Sequence, residues 1–150
     1  MGSASEMLWT LLSLLSFPLD QQVFLLGAFD ENDIKKNVLK SPALQLLNAL
    51  QGRQYSWVDD FDFLWDSEKQ DYSRIQQAFS ESLDAVSDQC CRSERLYRES
   101  AAWIHVRQVG VGLLKMSALP IIQIDQPLDF ERDFLEFVYD EVGDLVGFNG

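Results

Sequence analysis

Asp129, Asp133, Glu136, Asp140 and Asp144 follow one another at steps of four, three, four and four. On a helix that spacing lines five carboxylates along one stripe. Such a row can hold a divalent cation, move protons, or pair with the guanidinium and ammonium groups of a basic partner. It also breaks two local rules. Like charges three or four residues apart destabilise a helix by about 0.2–0.5 kcal/mol per pair. Asp140, Glu141 and Asp144 fall in the last turns of the predicted helix, where the dipole disfavours exposed anions by about 0.3–1 kcal/mol each. No lysine or arginine follows to offset them. Concerted breaks of this kind mark functional surface, and the competing reading is a solvated face that aids solubility.

A second acidic stretch is mixed with rings. Trp57, Asp59, Asp60, Phe61, Asp62, Phe63, Trp65 and Asp66 interleave aromatics with carboxylates. A ring offers contact area and cation–π attraction to an arginine or lysine, and a neighbouring carboxylate pairs with its charge. The alternative is that the rings are core and the aspartates cap or solvate. The candidate partner-binding residues are therefore Trp57, Asp59, Asp60, Asp62, Trp65 and Asp66, with Asp129, Asp133, Glu136, Asp140 and Asp144.

These two stretches hold all of the net charge. Between residues 59 and 71 six acids face Lys69 alone, a balance of −5, and between 125 and 144 eight acids face Arg132 alone, a balance of −7. Elsewhere ten acids and ten bases cancel, which leaves the total at −12. Charge placed so unevenly projects a field over part of the surface and favours a basic partner. The same field repels phosphate, so direct nucleic-acid binding is not expected. Arg92, Arg95 and Arg98 sit among Glu94 and Glu99 and are expected to face one of the acidic patches, within the fold or across a dimer.

Asp62-Phe63-Leu64-Trp65-Asp66, with Tyr55 upstream, resembles the Asp-x-Leu-Trp-Asp segment of barstar-type ribonuclease inhibitors, in which an acidic helix plugs a basic active site. The resemblance spans five residues of 150. The alternating strand–helix pattern of that family and the glycine-asparagine element before its motif are missing. It assigns no family here; it shows that this composition suits that kind of task.

Motifs for catalysis are few. His105 is the single histidine, which excludes a multi-histidine metal site and the paired Glu-x-x-His motifs of a di-iron bundle. Nucleophile elbow, P-loop and dinucleotide glycine patterns are missing. Asp60-x-Asp62 fails as a calcium loop because Leu64 and Trp65 stand at the next ligand and the turn glycine. Glu141-Val142-Gly143-Asp144 has the Glu-x-x-Asp spacing of magnesium-binding helices in all-α nucleotide pyrophosphohydrolases, but no Glu-Glu-x-x-Glu helix precedes it. No cofactor or metal is expected.

The elements that must position these residues read as helices. Ser5 can cap a first helix to about Ser16, stopped by Pro18, and residues 1–5 read as a disordered leader. Leu8 to Leu15 lacks the basic flank of a signal peptide and is far short of the ~20 residues that span a bilayer, so a buried helix is expected. Leu19 to Phe29 forms a second apolar stretch. Asp30 to Asp33 opens a short helix that ends near Lys40, with Lys35, Lys36 and Lys40 late in it, as the dipole prefers. Ser41-Pro42 starts a helix that Gly52 ends. Tyr72, Ile75, Phe79, Leu83, Val86 and Cys90 recur at helical steps from Asp71 on, with Cys90 continuing the apolar stripe and Cys91 incidental. A second long helix is predicted from Glu94 to Ala118, with His105 on its polar stripe. A last helix is predicted from about Leu128 to Val146.

The whole reads as an all-α, compact single-domain bundle of about five to seven helices over residues 6–150, with 71–118 as a central antiparallel pair. The alternative is an α+β fold with a small hairpin near residues 104–125, suggested by Ile104, Val106, Val109, Val111 and Ile121-Ile122-Gln123-Ile124. Two adjacent cysteines imply no disulfide framework and a reducing, cytoplasmic compartment. The function expected is an acidic, non-enzymatic protein-binding module: an inhibitor, immunity protein or nucleic-acid mimic that masks a basic active site or nucleic-acid-binding surface. Its partner would be a basic toxin, nuclease or nucleic-acid-binding protein, with no membrane involved, and the chain a monomer or small homo-oligomer. The alternatives are a structural or adaptor subunit and a magnesium-dependent all-α hydrolase.

Overall fold

A computed structural model of the chain describes residues 4–53 and 66–130, with side chains over 6–52 and 71–130. Among the described residues there are seven α-helices and no strand: α1 (Ala4–Ser16), α2 (Leu19–Leu26), α3 (Glu31–Lys36), α4 (Pro42–Arg53), α5 (Asp66–Asp84), α6 (Glu94–Glu99) and α7 (Ala101–Met116). Two short 3-10 turns, Val38–Lys40 and Asp88–Cys91, complete the path. The all-α bundle is the fold.

Helix α1 is core on most of its circumference. Leu8, Leu11, Leu12, Leu14 and Leu15 are buried, and so is Ser13. It begins at Ala4, so Ser5 lies inside the first turn rather than capping it. α1, α5 and α7 meet at Gly110. A methyl group there would stand 2.8 Å from Leu15 Cδ1, 3.3 Å from Phe79 Cε1 and 3.4 Å from Leu12 Cδ2. Ile75 approaches Gly112 in the same way, at 3.0 Å. Phe79 at Gly110 and Ile75 at Gly112 make α5 and α7 antiparallel, as expected of the central pair.

The hairpin alternative is overturned. Residues 104–111 are helical because Trp103, Val106, Gly110, Leu113 and Leu114 turn into the core at helical spacing. Two glycines cost about 1 kcal/mol each in helix propensity, and the close packing they permit offsets that. Ile121 to Ile124 carries no strand assignment. Its segment is instead pinned to α1: the Trp9 indole donates to Pro120 O at 2.7 Å, and the Ile122 N–H donates to Ser13 Oγ at 2.9 Å.

The predicted helix from Glu94 to Ala118 is two helices. Ser100 adopts an extended conformation (ψ 140) and its hydroxyl accepts the Trp103 N–H, capping α7. The open carbonyls that end α6 are met by a residue on the next helix. The Arg107 guanidinium donates to Tyr97 O and Arg98 O, both at 2.9 Å. α4 starts as expected at Pro42, with Ser41 Oγ accepting the Leu44 N–H at 3.2 Å, but it runs past Gly52 to Arg53. The Ser41 hydroxyl also donates to Cys91 O. α5 starts earlier than Asp71 and stops at Asp84. The tighter 3-10 turn that follows swaps the expected roles of the cysteines. Cys91 is fully buried and Cys90 only partly so.

Candidate functional site

Asp66 and Asp129 are the two candidate residues that fall among the described ones. Asp66 opens α5. Asp129 is exposed and follows Leu128, whose N–H donates to Leu25 O at 2.8 Å. Trp57, Asp59, Asp60, Asp62 and Trp65 lie outside the described residues, as do Asp133, Glu136, Asp140 and Asp144. Leu128 and Asp129 are not helical, and Phe130 is the last of the described residues.

The flanks of both acidic stretches are fixed by the fold. The start of α5 lies at the end of the bundle where α7 finishes, because Ile75 packs against Gly112 and the two helices are antiparallel. Asp71, on the first turns, is exposed and stands 3.4 Å from Arg74. Asp125 is exposed, between the contact of Ile122 with Ser13 and that of Leu128 with Leu25. Phe130 is buried at 7% exposure and belongs to the main core. The −7 stretch is thus anchored where it begins.

Of the arginine trio expected to face an acidic stretch, Arg98 and Arg95 pair with described residues outside both stretches. Arg98 bridges Asp20 of α2 at 2.8 Å and Glu94 at 3.0 Å, and Asp20 belongs to neither acidic stretch. The hydrogen bond that Arg98 donates to Asp20, more than the one it donates to Glu94, holds its guanidinium above its ordinary range. Arg95 lies 3.9 Å from Glu99. These contacts balance charge within the bundle.

Beneath them runs a buried polar relay. Burial pushes the Tyr97 phenol up to about 12, against the opposing effect of the Arg107 charge. Arg107 sits 5.1 Å from the centre of the Tyr97 ring, and its own burial lowers its pKa. The Tyr97 hydroxyl donates to Gln22 Oε1 at 2.5 Å, and Gln22 Nε2 donates to Leu15 O at 3.2 Å and Phe17 O at 2.7 Å. This relay satisfies the end of α1 and ties α1, α2, α6 and α7 together. Its residues are spent on backbone carbonyls and each other, so it holds the bundle in register.

Reactive groups are sparse. Burial raises the Cys91 thiol to about 12, outweighing a smaller opposite effect of Trp103, which leaves little thiolate for chemistry at neutral pH. His105 is exposed on α7, where its stripe predicts it. Among the described residues no group of three His, Cys, Asp or Glu side chains could hold a metal ion. No described helix is long and apolar enough to cross a membrane.

One surface escapes the sequence reading. Lys35, Lys36 and Lys40 read there only as dipole complements, yet all three are exposed and lie close in sequence to Leu39, which is 61% exposed. The missing signal is that Val38–Lys40 forms a separate 3-10 turn, which turns Leu39 outward. No protein-family model, curated protein or solved structure matches this chain.

Proposed function

We propose that this chain is an acidic, non-enzymatic protein-binding module: an inhibitor or immunity-type protein that masks the basic active site or nucleic-acid-binding surface of a partner. The observation that carries the reading is the placement of charge. A balanced bundle bears two stretches that hold the whole −12. Steering between opposite charges raises association about 10–10³-fold at low salt. What further supports the reading is the anchor at the start of the −7 stretch, through Leu128 and the buried Phe130. A carboxylate row presented from a fixed point loses less entropy on binding than a free tail. Two free cysteines fit a cytoplasmic setting.

The test is a binding screen against basic nucleases and nucleic-acid-binding proteins at low and high salt. A partner should appear whose association slows at least about ten-fold as salt rises from about 0.05 to 0.5 M. Changing Asp133, Glu136 and Asp140 to Asn or Gln should weaken it. A tight partner indifferent to both salt and these changes would sink the reading.

A second reading, a structural or adaptor subunit, draws support from Phe24, 62% exposed on α2, and from exposed Ile104, Met116 and Ile121. Light scattering separates the two. A clean monomer favours the inhibitor, and an obligate oligomer favours the subunit.

A further inference from the structure

From Leu119 to Asp125 the chain runs without turn, bend or helix, and its exposure alternates. Ile122 and Ile124 are half-buried, while Ile121, Gln123 and Asp125 are exposed. A period of two is that of extended backbone. One edge of this strap is bonded. Pro120 O accepts from the Trp9 indole at 2.7 Å, and the Ile122 N–H donates to Ser13 Oγ at 2.9 Å. The even-numbered residues thus turn their backbone groups towards α1, and in extended backbone the odd-numbered ones turn theirs the other way. Among the described residues the backbone N–H and C=O of Ile121 and Gln123 have no hydrogen-bond partner.

The sequence suits an open strand edge. Ile121, Ile122 and Ile124 favour a pleated surface. Pro120, which has no N–H, falls on the α1 side, so an incoming strand misses no donor there. No charged residue lies between Lys115 and Asp125 to guard the edge. From Ser100 to Ile124 the chain holds no acid at all, so two copies can meet here without setting carboxylate against carboxylate.

We propose that Leu119 to Asp125 is a pairing edge whose occupant is the same segment of a second copy, joined antiparallel about a two-fold axis at Ile122. Ile121 of each copy then exchanges both backbone hydrogen bonds with Gln123 of the other, and Ile122 keeps its bond to Ser13. Charge selects this register. Antiparallel pairing sets Asp125 against Leu119 of the other copy, towards the end of the strap that follows Lys115, whereas parallel pairing sets Asp125 beside Asp125. The two Ile121 side chains, each 48% exposed in the single chain, become diagonal neighbours on one face. A strand rich in lysine or arginine would find no acid before Asp125 to meet it. So short a pairing buries less than a standard interface, and each copy bears −12. The dimer is therefore weak and reversible, forming towards about 0.1–1 mM chain. It is a property of the chain alone and stands or falls apart from any basic partner.

The experiment is sedimentation equilibrium of the full chain from about 10 µM to 1 mM, with amide exchange followed by NMR on the same samples. Self-association should tighten about three-fold or more as salt rises from about 0.05 to 0.5 M, because screening removes the repulsion between copies. The salt response proposed for a basic partner has the opposite sign. Exchange at the Ile121 and Gln123 amides should slow about two-fold or more at the highest concentration, while the Ile122 amide, bonded within the chain, is protected at every concentration. Gln123→Pro removes an outward N–H that makes no bond among the described residues. It should weaken the dimer about ten-fold or more and leave the thermal midpoint unchanged. Gln123→Ala keeps that N–H and should pair within about two-fold of the parent chain. A monomer at every concentration, a dimer that salt weakens, a dimer that survives Gln123→Pro, or exchange at Ile121 and Gln123 indifferent to concentration would overturn the proposal.

Discussion

Tyr97 and Cys91 carry buried protons whose loss the fold opposes. The Tyr97 phenol is raised from 10.0 to about 12 and the Cys91 thiol from 9.0 to about 12. Each is neutral when protonated, and the folded state binds the proton more tightly than the unfolded one. Their contribution is whole below the unfolded values and is lost as pH rises through the folded ones. Urea midpoints should therefore fall as pH climbs from 9.0 towards about 12. Tyr97→Phe should flatten the part of that decline above 10.0. At neutral pH the same change should cost about 1–3 kcal/mol, because Gln22 Oε1 loses its donor in a buried site. An alkaline slope identical in the variant would show that Tyr97 is not the titrating group. None of this was legible from sequence. The relay joins residues 22, 97 and 107 across three helices, and no local pattern marks Gln22 as buried.

At the scale of helices, legibility followed the range of the interactions. α3 and α4 were readable because their signals are local: Asp30 accepts from the Asn32 and Asp33 amides, and Ser41 precedes Pro42. The break at Ser100 was not, since the carbonyls that end α6 are met by Arg107, seven residues beyond the break. The register of the cysteines was missed for a related reason, as a 3-10 turn advances three residues per turn and brings Cys91, not Cys90, inward. The two glycines of α7 permit a contrast at this scale. Gly110→Ala sets a methyl against Leu15 and Phe79 in a filled core, where overpacking costs about 1–3 kcal/mol. The propensity gain of about 1 kcal/mol does not cover it, so the urea midpoint should drop. Among the described residues Gly112→Ala meets only the end of Ile75, at 3.0 Å, and one flexible side chain can yield. Its stability should stay level or rise. Equal losses in the two variants would mean that α1 does not pack at Gly110 as described.

For the whole molecule, the charge imbalance was legible because it needs no coordinates, whereas the mounting of the acidic stretches was not. Sequence patterns do not reveal that residues 120–130 run back over α1 and α2, held by Pro120, Ile122 and Leu128. That mounting separates two contributions to binding in the proposed function. Long-range attraction depends on the number of carboxylates and governs the association rate, while the lifetime of the complex depends on how firmly they are held. Leu128→Pro removes the N–H that Leu25 O accepts and leaves every charge in place. Against a basic partner it should raise the dissociation rate about ten-fold and leave the association rate and its salt dependence unchanged. Neutralising Asp133, Glu136 and Asp140 should instead slow association and flatten its salt dependence. Stopped-flow association and dilution-triggered dissociation measure both. If the proline variant slows association as the neutral variant does, the anchor contributes by placing charge rather than by holding it, and the acidic stretch works only where Leu128 and Phe130 set it down.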